Sequence, residues 1–371
     1  MIHCPNMLMI GSTGRNVGKT TFACEVIRRH AKKHQVIGIK ITTIQTRDGS
    51  CPHGGQGCGV CGTLKTGFSI TREQLSGNEK DTTRLLLAGA EKVFWLRVMR
   101  GHMEEGLRSL LAEIPGNAMV VCESNSARTV IEPGVFLMIQ ETGSTDIKPS
   151  CDAVLKYADR RVMSLGNGWD FQPDRLAVAG NRWVIRPNAT AIILAGGESR
   201  RMGQDKSLLP INGRPLISHI ADQLHYFPER LVSSNDPEKF AFLQLPVIPD
   251  REPGQGPLMG ILSCVSRATH DLCFVTGCDI PTLDPGFIMH LLALASDNDI
   301  VMPRHADGRM EPLLAAYRKS IIPAAEAGLH SGNGRITAIF GQLRVCFIAM
   351  DESGWYHNLN TMNDFHRLTG L

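Results

Sequence analysis

Two glycine-containing loops, each entered from an apolar run, carry the residue types best suited to chemistry. The later loop lies in Ala191-Ile-Ile-Leu-Ala-Gly-Gly-Glu-Ser-Arg-Arg-Met-Gly-Gln-Asp-Lys206. A strand that runs into Gly196 and Gly197 lets backbone N–H groups approach a phosphate without a Cβ in the way. Arg200, Arg201 and Lys206 bring three cations to the same loop. Amides that grip a triphosphate, with cations that neutralise a departing pyrophosphate, are the parts of a nucleotidyl-transfer site. The plainer reading, a glycine-rich turn with exposed basic side chains, explains less of the whole string.

Asp271-Leu-Cys-Phe-Val-Thr-Gly-Cys-Asp279-Ile-Pro281 supplies a second element. It reads as a buried strand with an aspartate just past its carboxyl end, the edge where ligands sit in open α/β sheets. Asp279 there is placed to hold a Mg²⁺ that bridges nucleotide phosphates; an ordinary capping or loop aspartate is the competing reading.

The earlier loop, Gly11-Ser-Thr-Gly14-Arg-Asn-Val-Gly18-Lys19-Thr20-Thr21, has the order strand, glycine loop, Lys-Thr, helix. In a phosphate-binding loop Lys19 reaches the β- and γ-phosphates and Thr20 ligates Mg²⁺. Strict Gly-x4-Gly-Lys-Thr spacing needs glycine at 13, where this chain has Thr13. Glycines 11 and 14 flank it, so an anion site is still expected. Glu123 ends the apolar run Ala118–Cys122, where a metal- or water-positioning acid belongs. A Walker-type aspartate is not evident, which argues against vigorous nucleotide turnover.

Of eleven cysteines, Cys122, Cys273 and Cys346 fall in strand-like runs and read as small buried hydrophobes. Cys51-Pro-His53-Gly-Gly-Gln-Gly-Cys58-Gly-Val-Cys61 is different. A Cys-x2-Cys with a third cysteine upstream can close on one metal, with His53 as a fourth ligand, so zinc or an iron–sulfur cluster is expected. A redox pair at 58/61 and three plain thiols are the alternatives.

The elements that must position these residues alternate. Met7–Ile10, a helix from Gly18 to His34, Val36–Ile41, a helix at Asp81–Ala88, Val93–Val98, a helix at Met103–Glu113 and Ala118–Cys122 follow in turn. That alternation predicts α/β architecture with a mostly parallel sheet. Asp236-Pro237 and Asp284-Pro285 each read as an N-cap followed by proline at the first helical position. At 371 residues two domains are expected: residues 1–165, a linker over 166–188 rich in Gly, Pro and Asn, and residues 189–371. A net charge of +3, with 43% hydrophobic and 20% charged residues, gives no argument for nucleic acid or a membrane surface. No run of eighteen apolar residues occurs, and the N-terminus lacks a basic leader pattern; a cytoplasmic protein is expected.

Leu194-Ala-Gly-Gly-x-Ser-x-Arg-Met-Gly-x-Asp-Lys206 resembles the signature loop of the molybdenum cofactor guanylyltransferases, the MobA family. Similarity continues through Asn212-Gly-Arg-Pro-Leu, Ser234-Asn235, Asp250, Gly256-Pro-Leu-Met-Gly260, Gly277-Cys-Asp279, Glu311-Pro-Leu-Leu-Ala-Ala-Tyr317 and Asn358-Leu-Asn360-Thr361. The resemblance implies a Rossmann-like nucleotidyltransferase that moves GMP from GTP to molybdopterin, releasing pyrophosphate with Mg²⁺. It further implies a GTP site at Leu194, Ala195, Gly196, Gly197, Lys206, Asn235, Asp250 and Asp279. Arg201, Lys206 and Asp279 act in catalysis, and Asn358 and Asn360 lie on the pterin side. Molybdenum-insertion proteins and molybdoenzyme apoproteins are implied partners. Cytidylyl- and sugar-phosphate nucleotidyltransferases, which typically have alanine at the position of Gly196, are the rivals; a nucleotide-binding adapter without catalysis is another. Residues 1–160 resemble MobB, the P-loop GTP-binding adapter of the same pathway, through Asn16 and Gly18-Lys-Thr-Thr21, Lys40, Lys80-Asp81-Thr82, Ala88-Gly-Ala90 and Glu123-Ser-Asn125.

Overall fold

Strand side chains point alternately to opposite faces, and the central strands of this protein use both faces. Leu8 and Ile10 join one apolar cluster, whereas Met7 and Met9 join another. A strand buried on both sides needs helices above and below, which is how the chain is arranged. The computed structural model describes residues 1–14, 17–44, 64, 67–75, 80–143, 148–196, 205–350, 354–359 and 361–369. Within it the chain forms two compact units, Met1–Ile185 and Arg186–Leu371. None of the described helices is long and apolar enough to cross a membrane.

The first unit opens with β1 (Ile2–Ser12), α1 (Lys19–His30), β2 (Val36–Ile44), β3 (Phe68–Arg72) and α2 (Asp81–Leu87). It continues with β4 (Lys92–Met99), α3 (Met103–Ala112), β5 (Met119–Glu123), β6 (Ile131–Glu141), α4 (Pro149–Leu155) and β7 (Arg160–Ser164). Seven strands form one sheet in the order β3-β4-β2-β5-β1-β6-β7. Only the β3–β4 pairing is antiparallel, so the expected mostly parallel sheet is present.

Of the segment 166–188, expected as a linker that includes a last strand of the first domain, the residues up to Ile185 belong to this unit. It contains β8 (Leu176–Ala179) and β9 (Arg182–Ile185), an antiparallel hairpin whose Leu176, Val178 and Trp183 enter the cluster around α1. Trp183 is fully buried, and its indole N–H donates to the Val120 carbonyl at 3.1 Å. Turn-forming residues hid the hairpin in the sequence, because its strands are only four residues long.

The second unit runs β10 (Ala189–Leu194), β11 (Pro210–Ile211), β12 (Arg214–Pro215), α5 (Leu216–Gln223), β13 (Glu229–Ser233), β14 (Val247–Ile248) and α6 (Pro257–Arg267). Then follow β15 (Leu272–Gly277), α7 (Pro285–Leu294), β16 (Ile300–Arg304), β17 (Leu314–Arg318), α8 (Ile322–His330), β18 (Val345–Ala349) and α9 (Met362–Thr369). Its seven-stranded sheet has the order β14-β13-β10-β15-β17-β16-β18, with β17 antiparallel to both neighbours. Asp284 caps α7 as expected, accepting from the Phe287 N–H at 2.6 Å. Asp236-Pro237 opens only a 3₁₀ turn, Glu238–Leu243, which ends at Gln244 with φ 53°. A left-handed residue there closes the turn before an α-helix can propagate.

Trp183 fills the space under the hairpin, so Trp183→Ala is expected to destabilise the first unit by about 3–5 kcal/mol. In denaturant unfolding followed by circular dichroism, this would shift the transition of the first unit and leave that of the second in place.

Candidate functional site

In the second unit, parallel pairing sets Leu194 opposite Ser233 and Gly277. β13 and β15 lie on opposite sides of β10, so the chain changes direction across the sheet at β10. The loops leaving these three strands therefore diverge over one carboxyl edge, the crevice where open α/β sheets bind ligands. A cleft of about 730 Å³ lies there, lined among others by Leu194, Ala195, Gly196, Lys206, Asn235, Asp250 and Asp279. These are the GTP-site positions expected from the sequence, apart from Gly197, which with Arg200 and Arg201 lies outside the described residues.

Several contacts shape the cleft. The Ala195 N–H donates to the Ser233 carbonyl at 3.0 Å, which fixes the start of the glycine loop. Gly196 is exposed, and a Cβ on it would meet nothing nearer than the Ser233 oxygen at 4.0 Å. The protein's own packing leaves room for a side chain at 196. Gly277 is the opposite case: a Cβ there would sit 2.5 Å from Asp279 Oδ1, so glycine is what allows this carboxylate its position. Asn235 and Asp250 are a reciprocal pair, Nδ2 donating to Asp250 Oδ2 at 3.0 Å and the Asp250 N–H to Asn235 Oδ1 at 2.8 Å.

Two supports were not evident from the sequence. Asp205 accepts from the Ser207 N–H at 2.9 Å and hydroxyl at 2.6 Å and pairs with Lys239. It thereby holds the 3₁₀ turn that begins at Lys206. Lys239 comes from the turn after Asp236, more than thirty residues on, and only the fold reveals the pairing.

Burial raises the Asp279 carboxyl above the usual carboxylate range; a backbone hydrogen bond and the Lys206 ammonium oppose the shift, and Glu311 adds to it. A half-buried carboxylate at a cleft large enough for a nucleotide has the hard-oxygen chemistry that suits Mg²⁺. Cys278, next in the chain, is buried, and its thiol is pushed up to about 12, first by burial and then by Asp279. Asn358 is half-buried, and the Leu359 N–H donates to the Asp279 carbonyl at 2.8 Å, so the Asn358 segment is tied to the same edge. Asn360 lies outside the described residues.

Residues 191–345 match the MobA-like NTP transferase domain. A relative named probable molybdenum cofactor guanylyltransferase, from Carboxydothermus hydrogenoformans, is 35% identical over 188 residues, covering 49% of this chain and 95% of the relative. Through its C-terminal unit, the chain belongs to the MobA-like NTP transferase family. Vibrio cholerae molybdenum cofactor guanylyltransferase is 28% identical over 193 residues, covering 51% of this chain and 95% of that protein. Molybdopterin-guanine dinucleotide biosynthesis protein A from Archaeoglobus fulgidus, a solved structure, is 24% identical with a TM-score of 0.44, covering 49% of this chain and 97% of that one. This MobA-like chain is a nucleotidyltransferase.

The first unit of the MobA-like chain has its own edge site. Ile10 and Lys40 both align with Glu123. Gly18, with φ 84°, caps α1, a backbone conformation that favours glycine. Thr20 donates to Glu123 Oε2 at 3.2 Å. Glu123 is buried, and its Oε1 has no hydrogen-bond partner. Burial raises its carboxyl, opposed by Lys19, Lys40 and the Thr20 hydroxyl. Lys40 also pairs with Asp81, and Arg84 donates to the Thr21 hydroxyl at 3.0 Å. Gly14, Gly18, Lys19, Thr20, Thr21 and Glu123 are thus assembled around one loop and helix start. Cys51, His53, Cys58 and Cys61 lie outside the described residues. Cys122 and Cys273 are buried as expected, whereas Cys346 is half-buried.

A carboxyl raised by folding binds protons more tightly in the native chain, so stability falls as pH climbs from its ordinary value through its raised one. Asp279→Asn removes that cost. Without divalent metal, the variant is expected to melt above the parent at pH 7–8, the gap closing near pH 4, in thermal scans across pH.

Proposed function

We propose that the second unit transfers GMP from GTP to the terminal phosphate of molybdopterin, releasing pyrophosphate. The observation that carries this reading is the meeting of the Leu194–Gly196 loop, Lys206, Asn235–Asp250 and Asp279 in one cleft at the switch point of the sheet. The names of the guanylyltransferase relatives supply the two substrates.

The acceptor phosphate is already an anion, so it needs orientation more than a general base. Its oxygen attacks the α-phosphorus in line; a new P–O bond forms as the α–β bridge breaks, and the electron pair leaves with pyrophosphate. Backbone amides of the glycine loop lie against the phosphates, and Lys206, held by the Asp205 turn, meets the charge that grows on the leaving group. Arg201, on the same loop, is assigned the same task. Asp279 would hold Mg²⁺, which when bound neutralises phosphate charge. The Asp250 carboxylate can only accept hydrogen bonds, which suits the adjacent N–H donors of guanine, and the open space at Gly196 admits the base. Both features favour GTP over CTP.

A second reading concerns the first unit: a GTP-binding adapter. It is supported by the buried, half-satisfied Glu123 bonded to Thr20 at the start of α1, an arrangement suited to a nucleotide's phosphates and their metal. Zinc or an iron–sulfur cluster at the cysteine loop remains part of this proposal.

Lys206→Ala is expected to cut pyrophosphate release about 10²-fold, the usual loss for one preorganised electrostatic contact, with the melting temperature preserved. Near-parental turnover would remove Lys206 from catalysis. The full chain is expected to consume GTP in preference to CTP when both are offered with metal-loaded molybdopterin, measured by identifying the dinucleotide product. Equal use of CTP would favour the cytidylyl alternative.

A further inference from the structure

The segment that leaves β13 is braced along its length. Ser234 donates its N–H to the Ile248 carbonyl at 3.1 Å. Asp236 donates its N–H to the Ser234 hydroxyl at 3.1 Å, and Lys239 donates its N–H to Asp236 Oδ1 at 3.1 Å. Short-range bonds of this kind hold a turn in one shape, so Asn235 and Lys239 ride on a single stiff piece of chain. Asn235 is bonded to Asp250 on one side. On the other, Lys239 Nζ pairs with Asp205 Oδ2. A tie therefore runs from Asp250 through Asn235 and Lys239 to Asp205, and stops one residue short of Lys206.

Both partners of the ion pair are held from behind. Lys239 Nζ lies 5.1 Å from the centre of the Phe240 ring, and that ring is fully buried. Asp205 Oδ1 accepts from both the N–H and the hydroxyl of Ser207, which is also buried. Only 27% of the Lys239 side chain and 29% of the Asp205 side chain are exposed, so solvent screens the pair in part. Asp205 itself lines the cleft. Without a counter-charge, a carboxylate there would repel a polyphosphate. The Lys239 charge also reaches the end of β15: burial and then Asp279 raise the Cys278 thiol, and Lys239 opposes them.

A partly exposed ion pair adds little stability. What this one fixes is the place of the next residue. Lys206 meets charge on the leaving group only while its turn stays put, and a shift of about 1 Å can cost on the order of 10²-fold in rate. We infer that Lys239 is a positioning residue for the transfer, neutralising Asp205 beside the phosphates and tying Lys206 to the loop that carries Asn235. This inference rests on the proposed guanylyl transfer and adds the link by which the nucleobase side of the cleft sets the phosphate side.

The test uses the full chain with Lys239→Met, Lys239→Arg, Asp205→Asn and the double variant of Lys239→Met with Asp205→Asn. Methionine keeps a stem against Phe240 without the charge, and asparagine keeps an oxygen for Ser207. Turnover of GTP with metal-loaded molybdopterin is measured beside calorimetric binding of Mg²⁺-pyrophosphate and of guanosine. Lys239→Met is expected to lower kcat and weaken pyrophosphate binding about tenfold, a change of about 1.4 kcal/mol. Guanosine affinity and the melting temperature are expected to stay near parental, and Lys239→Arg, which restores the charge, to recover most of the loss. The double variant is expected to lose no more than Lys239→Met alone, because either change already breaks the tie. Parental pyrophosphate affinity in Lys239→Met, an equal loss toward guanosine, losses that multiply in the double variant, or a parent that does not bind pyrophosphate would each overturn the inference. A parent that binds pyrophosphate but forms no guanine dinucleotide would sink the proposed reaction instead, and the pyrophosphate series would still decide the role of Lys239.

Discussion

Everything in the C-terminal site hangs from the register of β10. Leu194 is fixed between Ser233 and Gly277, so the loops that carry Gly196, Asn235 and Asp279 all start from one level. A slip of one residue along any of these strands would turn its side chains to the other face of the sheet. The apolar alternation that buries Ile192 and Val275 in one cluster forbids that slip. Core packing and site geometry are in this sense the same constraint, which is why the site needs few direct bonds of its own. The Asn235–Asp250 pair and the Asp205 turn adjust loops that the sheet has already aimed.

The first unit solves a similar problem with other residues. Its edge is set by Ile10, Lys40 and Glu123, all level across three parallel strands. Here Glu123 is more deeply packed; the Thr20 hydroxyl donates to it, and Arg84 of α2 donates to the Thr21 hydroxyl beside it. Burying Glu123 is unfavourable unless the charge has partners, and the ammonium groups of Lys19 and Lys40 provide part of that compensation.

Local features of the fold were legible in the sequence. Gly196, Asp279 and the cap at Asp284 are signalled by neighbours within a few residues, because glycine loops, strand ends and N-caps are short-range devices. The hairpin of β8 and β9 was legible only as one last strand inside a linker: Leu176–Ala179 and Arg182–Ile185 are too short to show a period, and burial of Trp183 depends on strands far away in sequence. Glu311 falls in a stretch of family likeness, but its pairing with His305, 2.9 Å from Nε2 to Oε1, escaped for a related reason. The approach of Glu311 to Asp279 requires β17 to run backwards between two strands, and nothing in the periodicity of Leu314–Arg318 encodes its direction. Asn358 was found only through family likeness; its bond to Tyr356 requires the fold.

Cys278 sits directly beside the site carboxylate, where a reactive thiol would be a liability. Oxidants and alkylating reagents attack the thiolate, not the thiol. With its proton held up to about 12 by burial and by Asp279, this sulfur is almost wholly protonated at neutral pH. Burial, with a smaller push from the neighbouring carboxylate, thus keeps this sulfur in its less reactive form. The second unit can carry a cysteine at its reacting centre without becoming redox-sensitive there.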